Sequence, residues 1–147
     1  MKKYLIYFLA MLFLSSLTAC SSDEIEDLVG DLTAPVITVT GVDDGIVTST
    51  STIAISVAAP AKIKSFKVTI PNFGEMDFAQ APSTQAQQLV YLTLGVNYED
   101  VAEATAYVLT ITPVTLAALP EGEISIPVTI TDMNDQKTEE TYTFTKQ

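Results

Sequence analysis

The sequence predicts a mostly β domain, an antiparallel β-sandwich with one short inserted helix, and three observations carry that expectation. From Pro35 onward apolar residues recur at every second position in short runs, the period of half-buried strands. Turn formers punctuate the runs, as in Gly41-Val42-Asp43-Asp44-Gly45 and Asp132-Met133-Asn134-Asp135. One stretch, Ser83 to Gly95, breaks the alternation with good helix formers.

Residues 1–19 stand apart from this pattern. Lys2 and Lys3 are followed by an apolar centre from Tyr4 to Leu14 and by small residues from Ser15 to Ala19, the layout of a secretory signal. The apolar centre is eleven residues long, against the ~20 that a helix needs to span a bilayer. A tether over residues 20–34 and a domain over 35–147 complete the expected organisation.

Within the domain, Ile37 and Val39 alternate with threonines before the Gly41–Gly45 turn. Ile53, Ile55 and Val57 face one way, Ala54, Ser56 and Ala58 the other, and Pro60 ends that strand. The run Lys62–Ile70 changes parity, because Ile63 points inward together with Phe66, Val68 and Ile70. One extra residue reconciles them, so a β-bulge or late strand start is expected near Ser65. Ser83 to Gly95 opens on an N-cap type residue, spaces Leu89 and Leu92 by three and closes on glycine, which predicts two to three helical turns. Tyr107, Leu109 and Ile111 form the next strand, and Val114 to Leu119, stopped by Pro120, has the makings of a single further turn. Ile124, Ile126, Val128 and Ile130 form the cleanest stripe, with an unpaired or irregular site expected at Pro127, which has no N–H to donate. Thr138 to Thr145 closes the domain with Tyr142 and Phe144 inward. About seven short strands with an inserted helix point to an immunoglobulin-like sandwich, and the lack of a Cys…Trp…Cys core sets it apart from antibody domains.

Composition narrows the chemistry. The chain has 147 residues, 18 of them acidic, and a net charge of −11; without Lys2 and Lys3 the balance is 5 − 18 = −13. A chain this acidic, with no arginine, is a poor nucleic-acid ligand. Lys62, Lys64 and Lys67 are the one basic cluster, read as protection of a sheet edge. There is no histidine and no tryptophan, and Cys20 is the only cysteine. Triads built on histidine and thiolate or imidazole zinc sites are therefore excluded.

Leu17-Thr18-Ala19-Cys20 resembles the lipobox of bacterial lipoproteins. The resemblance implies that Cys20 carries a diacylglycerol, becomes the first mature residue and holds the protein in a membrane. The acidic cluster Ser21-Ser22-Asp23-Glu24-Ile25-Glu26-Asp27 resembles the surface-export signal of Bacteroidetes lipoproteins, which implies an outer-membrane protein facing the exterior; a solvated acidic linker is the plainer reading. The stretch Glu123–Thr145 resembles the closing hairpin of bacterial Ig-like domains, and the layout from Leu94-Gly95 onward is similar to domains of Bacteroidetes surface lipoproteins. Such domains serve as adhesion, spacer or glycan-capture modules.

Four local constellations are candidate sites. Asp132, Asn134 and Asp135 place three oxygen-bearing side chains within four residues, a pattern that could coordinate calcium, although a plain hairpin turn is the simpler account of them. Phe73, in Pro71-Asn72-Phe73-Gly74, is either a loop-tip aromatic that stacks on a sugar or fills a partner's pocket, or a plug folded back on the core. Tyr98 has the same two readings. Glu75 and Asp77 resemble the carboxylate pair of a glycosidase, but so small a domain offers little cleft. No cofactor other than calcium is implied. The expected function is a non-catalytic envelope module that binds a glycan or a protein. A spacer or assembly subunit without a ligand is the alternative, and a carboxylate hydrolase the remote one.

Overall fold

The computed structural model describes residues 33–147, so the leader, Cys20 and the acidic cluster lie outside the described residues. Eight strands and three helices follow in chain order: β1 (Val36–Thr40), β2 (Ile46–Val47), β3 (Ile53–Ala58), β4 (Ile63–Ile70), β5 (Gly74–Asp77), α1 (Gln85–Leu94), α2 (Tyr98–Val101), β6 (Ala106–Ile111), α3 (Pro113–Ala117), β7 (Gly122–Asp132) and β8 (Lys137–Lys146). They build a three-stranded sheet, β1-β3-β6, and a five-stranded sheet, β2-β8-β7-β4-β5. The order places β1, β3 and β6 where an immunoglobulin domain has strands A, B and E, and β4, β7 and β8 where it has C, F and G. The fold is thus an immunoglobulin-like β-sandwich, with α1 and α2 standing in the crossover where strand D would run.

The core follows from the alternation. Ile53, Ile55 and Val57 of β3, Leu109 and Ile111 of β6, and Ile124, Ile126, Val128 and Ile130 of β7 are all buried in one hydrophobic cluster. Rings tie the sheets together, since Phe66 of β4 meets Tyr107 of β6 edge-on at 6.4 Å between ring centroids. Phe144 is buried as expected, while Tyr142 is only half-buried and packs on the core's margin.

The parity change in β4 is a register shift: Ile63 lies opposite Asp132, and Ser65 opposite Thr131, so Lys64 is the extra residue. The irregularity expected at Pro127 is also present. Pairing of β7 with β8 runs through Pro127, whereas pairing with β4 stops at Val128, next to the missing donor.

Four expectations are corrected. The sandwich is not wholly antiparallel, because β2 pairs with β8 in parallel. The chain makes this switch of sheets at Gly41, whose φ of +86° suits glycine and whose Cβ, were there one, would fall 1.9 Å from the Thr52 carbonyl oxygen. Among the described residues three helices stand where one inserted helix was expected: α3 is the further turn read at Val114–Leu119, and α2 is an additional single turn capped by Asn97, whose Oδ1 accepts the Glu99 N–H at 3.3 Å. β5 adds a strand in a stretch to which the sequence pattern assigned no element, so β4 is interior and its lysines guard no edge. Lys67 instead pairs with Glu75 across to β5 at 3.0 Å, and Lys64 at the bulge pairs with Asp135.

The sandwich has two distinguishable ends. At the near end the chain enters the fold, where the Pro35 carbonyl accepts the Thr138 hydroxyl at 2.6 Å. The start of β4 and the β7–β8 turn lie there too. At the far end lie the β4–β5 turn, α3 and the start of β7, where the Lys146 Nζ donates to the Leu119 carbonyl at 2.7 Å.

Candidate functional site

Helix α1 is positioned by its caps and by one tyrosine. Thr84 accepts the Gln87 N–H at 3.2 Å. Gly95, at φ 67°, ends the helix in a Schellman pattern in which Gly95 and Val96 donate to the carbonyls of Leu92 and Tyr91. The Tyr91 ring packs on Phe78, and its hydroxyl donates to the carbonyls of Asp77 (2.6 Å) and Gln80 (2.9 Å). Burial, with the Asp77 charge adding, pushes that phenol up to about 12. The Asp77 carboxylate closes the assembly: Oδ1 accepts the N–H groups of Phe66 (3.0 Å) and Ala79 (3.1 Å), and Oδ2 the Ser65 hydroxyl (2.7 Å).

Held in this way, α1 buries Val90, Tyr91 and Leu94. Its Leu89 and Leu92, the pair whose spacing predicts the helix, are 64% and 80% exposed. Between α1, the β4–β5 turn and α3 runs a groove of about 260 Å³, lined by Ile70, Phe73, Leu89, Leu94, Val114 and Ala118 among others. Phe73 is 41% and Val114 76% exposed, so three large apolar side chains stand around one depression at the far end. Exposed apolar groups scattered singly mean little, whereas these three share one depression. The lining has two threonines with hydroxyls already engaged, Thr93 with the Leu89 carbonyl at 2.8 Å and Thr115 with the Thr112 hydroxyl at 3.3 Å. The groove therefore presents mainly apolar surface, and both of its threonine hydroxyls already make a hydrogen bond to a neighbouring residue.

Phe73 thus belongs to the groove wall rather than to the buried core, for which it is too exposed. Tyr98 packs half-buried against the core, and its hydroxyl lies 3.3 Å from Glu99 Oε1. It also borders a second, more open depression of about 340 Å³ beside Gln88, Tyr91, Leu92 and Asn97. That depression has the side-chain amides that the first lacks, with two tyrosines beside them. The sequence singled out Phe73 and Tyr98 but missed Leu89 and Val114. A signal for both existed, since residues 78–98 and 104–120 contain no charge in a chain with 18 acids.

The other sites stand apart from these. Asp132 is fully buried, its Oδ1 accepts the N–H groups of Asn134 (2.9 Å) and Gln136 (2.8 Å), and its Oδ2 has no hydrogen-bond partner. Asp135 extends into solvent and pairs with Lys64. Among the described residues no group of three or more His, Cys, Asp or Glu is placed to hold a metal ion. Glu75 and Asp77 share a strand and do not face each other across a cleft, because Glu75 is bonded to Lys67 and Asp77 to β4.

No protein-family model and no curated protein matches the chain. Among solved structures, the chain is similar to a bacterial immunoglobulin-like domain from the M. primoryensis ice-binding adhesin, at 16% identity and a TM-score of 0.33, over 78% of this chain and 99% of that one. The strand order, not this likeness, carries the fold assignment.

Proposed function

We propose that the protein is a non-catalytic lipoprotein of the cell envelope, anchored through Cys20 and exposed on the outer surface, which binds apolar side chains of a protein partner in the Phe73 groove. The observation that carries the binding reading is the convergence of exposed Phe73, Leu89 and Val114 on one groove whose threonine hydroxyls are already engaged. The volume agrees. About 260 Å³ falls below the ~300–1,000 Å³ usual for small-molecule sites and suits one or two inserted side chains. The groove also lies at the end opposite the point where the chain enters the sandwich, as suits a module held from its N-terminus. Covering each large apolar side chain contributes ~1.5–3 kcal/mol gross, and association costs ~4 kcal/mol or more. Three such side chains leave at most about 5 kcal/mol, so a single groove of this kind supports binding of roughly 0.1 mM strength or weaker.

A second reading, glycan capture, is favoured by one feature, the Tyr98 depression with Gln88 and Asn97 on its rim. One experiment separates the two: the full chain in nanodiscs is presented to peptide and glycan arrays beside its Phe73→Asp and Tyr98→Ala variants. Peptide signals that vanish only in Phe73→Asp are the expected result. Glycan signals that vanish only in Tyr98→Ala overturn the protein-partner reading, and silence on both arrays favours a spacer without a ligand. Anchoring has its own test, incorporation of an alkyne fatty acid that is lost in Cys20→Ala. A cation at the Asp132 turn is a separate proposal, resting on the unpartnered Oδ2; a melting temperature unmoved by millimolar calcium and by chelator removes it.

A further inference from the structure

From the distribution of charge around the groove we infer that its partner is a cationic amphipathic segment, apolar at the anchor and flanked by Lys or Arg. The inference deepens the proposed function and rests on it. The groove itself is neutral, but its surroundings are not. Glu75 follows the Phe73 turn by two residues, and Glu121 follows the Ala118 wall by three. Glu123 pairs with Thr145, whose N–H is bonded to Gly45, and this brings Asp43 and Asp44 to the same end. All five carboxylates are exposed.

The cations are elsewhere or committed. Lys62, Lys64 and Lys137 sit at the near end, beside the β7–β8 turn, and the last two are paired with Asp135 and Glu139. Lys67 is held by Glu75, a bond that pushes the ammonium pKa up. Lys146 donates its ammonium to the carbonyls of Leu119 and Ala117 and keeps its charge at the far end, one cation against the carboxylates of Asp43, Asp44, Glu121 and Glu123. None of the three ion pairs among the described residues engages Asp43, Asp44, Glu121 or Glu123. An apolar groove at an end of net negative charge attracts partners of the opposite sign and disfavours acidic ones, a bias that acts on encounter rate and choice of partner. A second copy of this acidic chain is a poor occupant for the same reason.

The test uses three fluorescent peptides of equal length and identical Leu/Phe anchors, flanked by Lys, Ser or Glu, titrated against the full chain in phosphatidylcholine nanodiscs. The Lys-flanked peptide is expected to bind about tenfold tighter than the Glu-flanked one at low salt, with the gap closing towards about 0.5 M NaCl. Glu121→Gln with Glu123→Gln should weaken the Lys-flanked peptide about threefold and leave the Ser-flanked one unchanged. Equal affinity for all three peptides, or a preference that neither salt nor the double variant moves, overturns the cationic partner while binding that Phe73→Asp abolishes still supports the groove. No binding of any peptide, or binding indifferent to Phe73→Asp, overturns the groove and the inference with it.

Discussion

Asp77→Ala should loosen the attachment of β5 and α1 to β4. The wild-type carboxylate takes two backbone N–H groups on Oδ1 and a serine hydroxyl on Oδ2, and the carbonyl of the same residue receives the Tyr91 hydroxyl that holds α1. Hydrogen bonds to a charged group contribute ~1.5–3 kcal/mol, and a donor left without a partner costs ~1–3 kcal/mol. Two stranded N–H groups at a half-buried position therefore cost about 3 kcal/mol, discounted for the water that reaches the site. For a domain of this size that lowers Tm by roughly 10–15 °C. Asp77→Asn keeps Oδ1 for both N–H groups and offers its amide to Ser65, which can accept as well as donate, so its cost should be about 1 kcal/mol or less. Thermal and urea unfolding of the 33–147 domain reads both values. Equal losses in the two variants, or an alanine variant within about 0.5 kcal/mol of wild type, would refute the assignment of Asp77 as the clasp between β4, β5 and α1.

Gly41→Ala should cost about 2–4 kcal/mol, since it adds a left-handed φ to a Cβ 1.9 Å from the Thr52 carbonyl; an unchanged urea midpoint would show that the crossing from β1 to β2 is not pinned there. Tyr91 supplies a pH dependence. Its folded pKa, about 12, lies above the ordinary tyrosine value of 10.0, so the folded state holds the proton more tightly, and the stability it contributes is complete below pH ~10 and lost as pH rises towards 12. Tyr91→Phe should be less stable than wild type at pH 7, by about 1–2 kcal/mol for two lost hydrogen bonds. The variant should also lose less stability than wild type between pH 9 and 12, and parallel alkaline melting curves would contradict this.

The strands were legible because each half-buried one writes its own period. Even the bulge at Lys64 was foreshadowed, since moving the inward set from odd Ile63 to even Phe66, Val68 and Ile70 needs an inserted residue. β5 was not legible: four residues with one inward side chain, Met76, carry no period, and the error spread to the lysines of β4. In α1 the existence of the helix was readable from Thr84 and Gly95, but its orientation was not. Val90, Tyr91 and Leu94 compete with Leu89 and Leu92 for the inward face, and contacts with Phe78 and the β5 end decide between them. The groove was hardest to foresee, because Phe73, Leu89 and Val114 lie far apart in sequence and meet only when α1 and α3 dock beside the β4–β5 turn. What the sequence did hold was the absence of charge from 78–98 and 104–120, a pattern with no local meaning until both segments share a surface.

The most direct test of the central claim is a methyl NMR titration of the chain with the Lys-flanked apolar peptide. The account predicts saturable shifts at Leu89, Leu94 and Val114, with Met133 at the near end and the core methyls of Ile55 and Ile126 left in place. Shifts confined to Met133 and its neighbours, or a spectrum that does not move at millimolar peptide, would contradict it.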